Sequence, residues 1–156
     1  MHFNTILKTT IVALGSALWA AGVATADGHS DVEKITDVLR SYESFVNESN
    51  PEGVGALYTE DAIFMPDRFG VFEGSEAITE FYGFVFNALT LNLDFTINAE
   101  DIVVTGSTAY AVTSSTGTRL IKESNQTVPE INRELWVFEN VDDEWKIARY
   151  APNKSE

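Results

Sequence analysis

The sequence predicts an α+β domain in which three N-terminal helices pack on a curved, mostly antiparallel sheet, forming a cone with an internal pocket. Three observations predict it. Apolar residues recur at helical spacing as far as Leu89, they alternate with polar ones from Leu91 onward, and no strand–helix–strand alternation separates the two regimes.

A segment with the marks of an export signal precedes the domain. Met1 to Lys8 holds one lysine, Thr9 to Ala21 is small and apolar, and Ala24-Thr25-Ala26 is a small-x-small cleavage pattern. Cleavage is expected after Ala26, giving a periplasmic or extracellular protein with one domain from Asp27 to Glu156. No charge lies between Lys8 and Asp27, but Ala, Gly, Ser and Thr dominate where a lasting anchor would carry Leu, Ile and Phe. No stable membrane insertion is therefore expected after cleavage.

The first helix is marked by Ser30 and Glu33 as a capping box, followed by Val32, Ile35, Val38, Leu39, Tyr42, Phe45 and Val46 at helical spacing up to Asn47. Asn50-Pro51 reads as the cap and first turn of a short second helix with Val54 and Leu57, weakened by Gly53 and Gly55. Two short strands follow, Ala62 to Met65 and Val71 to Glu73. Ser75 then caps a third helix, with Ile78, Phe81, Tyr82, Val85 and Leu89 on one face and Phe84 and Phe86 widening it.

Alternation begins at Leu91 and runs through Leu93, Phe95, Ile97 and Ala99; it slips at Glu100-Asp101 before Ile102 to Val104, as a bulge requires. Turn residues then divide Thr108–Lys122, Thr127–Glu139 and Glu144–Tyr150 into an antiparallel meander.

Composition narrows the chemistry. The chain has 24 acidic and 10 basic residues, a net charge of −14, and loss of Lys8 makes the balance one unit more negative. Such a surface repels phosphate backbones, so nucleic acid is excluded as a partner. There is no cysteine, and the two histidines are His2, inside the signal, and His29, at the start of the mature chain. Cysteine nucleophiles, Ser-His-Asp triads and Cys/His metal sites all lack their parts, and neither a cofactor nor a metal is expected. Any reaction must rest on carboxylates, Tyr, Arg, Lys or amides.

Tyr42, Phe45, Phe64, Tyr82, Phe86, Trp136 and Phe138 are candidates to line the cone, with core packing as the alternative. Arg68, Arg119, Arg133 and Arg149 could form a cationic end for a carboxylate-bearing ligand, or be satisfied at the surface. By strand parity Arg133 faces away from Glu134. Asp142-Asp143-Glu144 reads as a solvated hairpin tip. Asn47-Glu48-Ser49, Asn125-Gln126-Thr127 and Asn153-Lys154-Ser155 match the N-glycosylation pattern.

Three phrases then carry a resemblance: Leu57-Tyr58-Thr59-Glu60-Asp61-Ala62-Ile63-Phe64-Met65-Pro66, then Phe72-Glu73-Gly74-Ser75-Glu76-Ala77-Ile78, then Trp136-Val137-Phe138 with Glu144-Trp145-Lys146-Ile147. With the order of elements, they resemble the SnoaL-like and ketosteroid isomerase-like families, which share the nuclear-transport-factor-2 cone fold. That fold hosts isomerases, dehydratases, cyclases and epoxide hydrolases. The resemblance implies Tyr42 as an oxyanion hydrogen-bond donor and Glu134 as a carboxylic acid held neutral beside it. The isomerases' general-base aspartate falls on Pro66, with Asp67 its neighbour, so true steroid isomerisation is not expected.

Three functions follow as expectations. One is a binder of a small apolar ligand. Another is a cofactor-free acid/base enzyme using Tyr42, Asp67 and Glu134. The third is an association module that forms a homodimer through the outer sheet face around Leu135 and Val137. A buried, empty cavity holding Tyr42 with a carboxylate favours the enzyme, an empty apolar cavity without paired acids favours the binder, and no cavity favours the module.

Overall fold

A computed structural model describes residues 25–155, with side chains from Ser30 onward. The expected export signal, residues 1–26, lies outside the described residues apart from its last two positions.

Three helices come first: α1 (Thr25–Asn47), α2 (Pro51–Ala56) and, after two short strands, α3 (Ser75–Ala88). The α1 core stripe is Ile35, Leu39, Tyr42 and Val46, all buried at the spacing the sequence shows. Its start differs from the expectation. The helix begins at Thr25, which leaves Ser30 inside it rather than at its cap, because no proline between Thr25 and Ser30 forbids helical dihedrals. Asn50 does cap α2, its side chain accepting from the Gly53 amide at 2.9 Å. The glycines that weaken this short helix are there for packing. A Cβ at Gly55 would lie 1.8 Å from Thr79 Oγ1 on α3, and one at Gly53 would lie 2.7 Å from the Phe45 ring on α1.

Gly74, not Ser75, occupies the cap position of α3, and the Ser75 side chain makes no capping bond. Gly74 turns the chain at φ 87°, a conformation open to glycine, while its amide bonds the Ala62 carbonyl. The backbone geometry thus fixes the residue at that corner.

The strands are β1 (Tyr58–Phe64), β2 (Phe72–Glu73), β3 (Leu89–Thr96), β4 (Ile102–Thr105), β5 (Thr108–Ile121), β6 (Gln126–Val141) and β7 (Glu144–Lys154). They form one sheet in the order β2-β1-β7-β6-β5-β3, with β4 also on β5. The meander from β3 to β7 is antiparallel as expected. β3 and β4 lie along the same edge of β5, separated by a single 3-10 turn at Ala99–Asp101 where the alternation slips. β1 pairs parallel to β7, a long-range pairing that local pattern does not encode. Asp142 and Asp143, both at positive φ and exposed, form the two-residue tip between β6 and β7.

The outer edge of β3 is closed by side chains of α1. Asn47 donates to the Leu93 carbonyl and accepts from the Leu93 amide, both at 2.8 Å. Glu43 accepts from the Phe95 amide and Arg40 donates to the Phe95 carbonyl, each at 3.0 Å. An edge strand with unpaired amides is thereby covered, and the Asn47-Glu48-Ser49 triplet has a structural role in its first residue.

One glycine governs how closely β3 and β5 approach. A Cβ on Gly117 would lie 2.0 Å from the Asn92 carbonyl oxygen, whereas nothing lies within 4 Å of a Cβ on Gly83 in α3. Gly117→Ala is expected to lower unfolding free energy by about 1–3 kcal/mol. Gly83→Ala should raise it by about 0.5–1 kcal/mol. Urea denaturation followed by circular dichroism checks both signs.

Candidate functional site

The inner face of the sheet carries Glu130, Asn132, Glu134, Trp136 and Phe138 on β6, alternating with the exposed Ile131, Arg133 and Leu135. On β5 the matching inner positions include Ala111, Thr113 and Ser115. On β7 a bulge interrupts this parity. Val137 pairs Arg149 while Phe138 pairs Ile147, so Ala148 is the extra residue, and both Ile147 and Tyr150 face inward.

Ser115, Glu130, Asn132 and Tyr150 from these faces, with residues of α1, α3 and β3, line an open cavity of about 460 Å³. Tyr42, Tyr82 and Tyr150 lie at its inner end, Leu91, Leu93 and Phe95 of β3 form one wall, and Asp67, Arg68 and Phe69 stand at its mouth. Of the expected lining residues, Tyr42 and Tyr82 line it. Phe64 and Phe86 pack on the Tyr82 ring, Trp136 and Phe138 are wholly buried in the core, and half-buried Phe45 lies against α2, so none of these five is in the cavity wall.

Tyr42 and Tyr82 share a hydrogen bond between their hydroxyls at 2.5 Å. One of the two O–H groups is committed to the other, so the pair presents a single remaining donor. The Tyr58 hydroxyl is buried beside that of Tyr82. Burial, and then the neighbouring phenols, hold the Tyr42 and Tyr58 hydroxyls well above the usual tyrosine range. Burial likewise raises Tyr82 and Tyr150, the latter helped by Glu134 and Tyr82. These phenols therefore stay protonated at neutral pH.

Glu134 lies behind this floor, 2% exposed. Thr113 donates to one carboxyl oxygen at 2.7 Å and Ser115 to the other at 2.6 Å. Trp136 Nε1 in turn donates to Thr113, and Asn132 to Ser115. Glu134 does not line the cavity; Ser115 and Asn132 do. Desolvation raises its pKa, and the two hydroxyl bonds partly offset that. A proton on Glu134 reverses one of these bonds, and if the partner is Ser115 the serine proton turns free toward the cavity.

Asp67 is at the mouth, 3.4 Å from Arg68, with its side chain about half exposed. The structure thus brings Tyr42 and Asp67 into one cavity and places Glu134 one residue layer beneath. Sequence reasoning did not single out Tyr150, Ser115, Asn132, Glu130 or Lys154. Counting in twos from Glu134 reaches Asn132 and Glu130, but Tyr150 is hidden by the bulge.

The raised pKa of Glu134 has a sign. A carboxyl whose folded value exceeds its unfolded one contributes stability below the unfolded value, and that contribution is lost as pH rises through the folded value. Glu134→Gln removes the titration. The stability of the variant relative to the parent should therefore increase as pH rises above the ordinary glutamate range, measured by thermal unfolding; an unchanged difference would contradict the assignment.

The family model for the SnoaL-like domain matches residues 29–151. No curated protein matches the chain in sequence. Among solved structures, a ketosteroid isomerase-like protein from Erwinia carotovora atroseptica superposes with a TM-score of 0.76 at 22% identity, covering 81% of this chain and 97% of its own. A nuclear transport factor 2-like superfamily protein from Salmonella enterica gives 0.70 at 22% identity, with 82% and 94% covered. A hexachlorocyclohexane dehydrochlorinase gives 0.73 at 14% identity, with 83% and 88% covered. At these identities the likeness to solved structures is one of fold, whereas the family match spans most of the sequence: the chain belongs to the SnoaL-like domain family, on the nuclear-transport-factor-2-like cone.

Proposed function

We propose that this chain is an exported binder of a small, largely apolar molecule, held in the cone. The observation that carries the reading is the cavity of about 460 Å³ with Leu and Phe side chains on its wall and phenol hydroxyls at its inner end. Protein interiors leave few voids larger than a water molecule, and ligand sites combine apolar walls with a few converging polar groups. Native mass spectrometry of the protein purified from the cell should show a bound compound. Leu91→Trp, which fills the wall, should abolish it. A protein that carries nothing, or a variant that still carries the compound, would overturn the reading.

A second reading is favoured by one specific juxtaposition. The Tyr42–Tyr82 hydroxyl pair and the Asp67 carboxylate line the same cavity, as a cofactor-free isomerase, dehydratase or cyclase would need. Glu134 would take part as a neutral acid acting through Ser115. In heavy water such an enzyme exchanges deuterium into its ligand at carbon, and Tyr42→Phe should slow that exchange about 100-fold. Equal rates would leave the binder alone.

Export and pairing belong to the same proposal. The mature chain should begin at Asp27 in N-terminal sequencing of the periplasmic or secreted fraction. No helix among the described residues is long and apolar enough to cross a membrane. The outer sheet face exposes Tyr110, Val112 and Leu135 at about half of their surface, with Val112 opposite Leu135 across β5 and β6. A second copy covering that face makes a homodimer. Light scattering should give twice the monomer mass, and Leu135→Lys should halve it.

A further inference from the structure

We infer that the cavity selects a monoanion: the ligand is an apolar molecule bearing one carboxylate, seated on Arg119 and Lys154. The inference rests on the binder reading and names the chemistry of what is bound.

Its basis is a triad on the inner face of three adjacent strands. Arg119 on β5 and Lys154 on β7 flank Glu130 on β6, at 3.4 Å and 3.1 Å from the same carboxyl oxygen. All three line the cavity. Two cations share one anion, so the triad carries a surplus positive charge. In a chain of net charge −14, that surplus sits on the cavity wall.

The hydrogen bonding is also incomplete. Arg119 Nε and the shared Glu130 oxygen are buried and neither has a hydrogen-bond partner, because both ion pairs fall off hydrogen-bond geometry. Nε itself is closed off beside Glu130; the remaining guanidinium N–H groups, on the third of the Arg119 side chain that is exposed, are the donors a planar carboxylate matches. Glu130 sets the valence. It cancels one of the two cations and repels a second negative charge, so a monoanion fits and a phosphate dianion does not.

The rest of the molecule can be placed from the sheet register. Leu91 pairs directly with Arg119, Leu93 with Gly117 and Phe95 with Ser115, so an apolar wall runs from the cationic triad toward the tyrosine floor. Four residues of strand separate Arg119 from Ser115, a span of roughly 13 Å. Arg119 and Lys154 are about one-third exposed while Ser115 and Tyr42 are buried, which puts the charged head near the opening and the apolar body inside.

The probes are decanoate and decanol, equal in chain and different in charge, titrated calorimetrically into the purified protein. Decanoate should bind about tenfold tighter than decanol. Arg119→Leu should erase that ratio. Glu130→Gln, which raises the triad's charge, should increase the ratio. The two variants move in opposite directions, so general unfolding cannot imitate the result. Equal binding of both probes, with a ratio indifferent to Arg119→Leu, overturns the anion site and leaves the apolar cavity standing; binding of neither probe overturns both.

Discussion

The whole interior depends on one run of stacked aromatic rings. Trp136 and Tyr150 lie face to face with centroids 3.5 Å apart, Phe64 stacks on Tyr150 at 5.2 Å, and Tyr82 on Phe64 at 5.5 Å. The Tyr42 ring meets Trp136, Tyr150, Tyr82 and Phe95 edge-on. Stacked and edge-on pairs are the favourable arrangements for ring quadrupoles, each contributing about 0.5–1.5 kcal/mol beyond area burial. Six elements, α1, α3, β1, β3, β6 and β7, supply the rings, so the run ties the helices to the sheet. It also fills the closed end of the cone. The cavity begins where the rings stop, and the Tyr42 and Tyr82 hydroxyls mark that boundary.

Beneath the rings sits Glu134, the one buried acid among the described residues, which forms no ion pair there. A buried carboxylate is tolerated only when its oxygens are bonded. Thr113 and Ser115 are supplied by alternation: both lie on the inner face of β5, and Thr113 pairs directly with Glu134. Trp136 and Asn132 then orient those hydroxyls from behind. The same two-residue period that builds the hydrophobic face thus delivers a polar chain through it. The acid expected to bond a ligand is instead linked to the cavity through Ser115.

Much of this was legible from periodicity, and the rest was hidden for identifiable reasons. The α1 stripe, the Asn50 cap and the β3–β7 meander each follow from local spacing, and so does the opposite facing of Arg133 and Glu134. Parallel pairing of β1 with β7 rests on contacts about ninety residues apart in sequence, which no window records. Tyr150 is the clearest loss. Alternation from Trp145 and Ile147 would put Arg149 inside and Tyr150 outside, and the extra residue Ala148 reverses both. Aromatic identity alone did not separate core from cavity: Trp136 and Tyr82 are equally apolar in pattern, but only Tyr82 lies where the ring stack ends.

Charge placement adds a constraint that composition conceals. Averaged over its surface the chain repels anions, yet at physiological ionic strength that repulsion is screened beyond about 8 Å. A ligand approaching the opening is therefore governed by the groups within that distance. Asp67 and Arg68 at the mouth offset each other at 3.4 Å, leaving the surplus of the Arg119–Glu130–Lys154 triad as the uncompensated local charge on the cavity wall. An acidic exterior and an anion-accepting interior are thus compatible, because solubility is set by the sum of charges and selection by the few that the solvent does not screen.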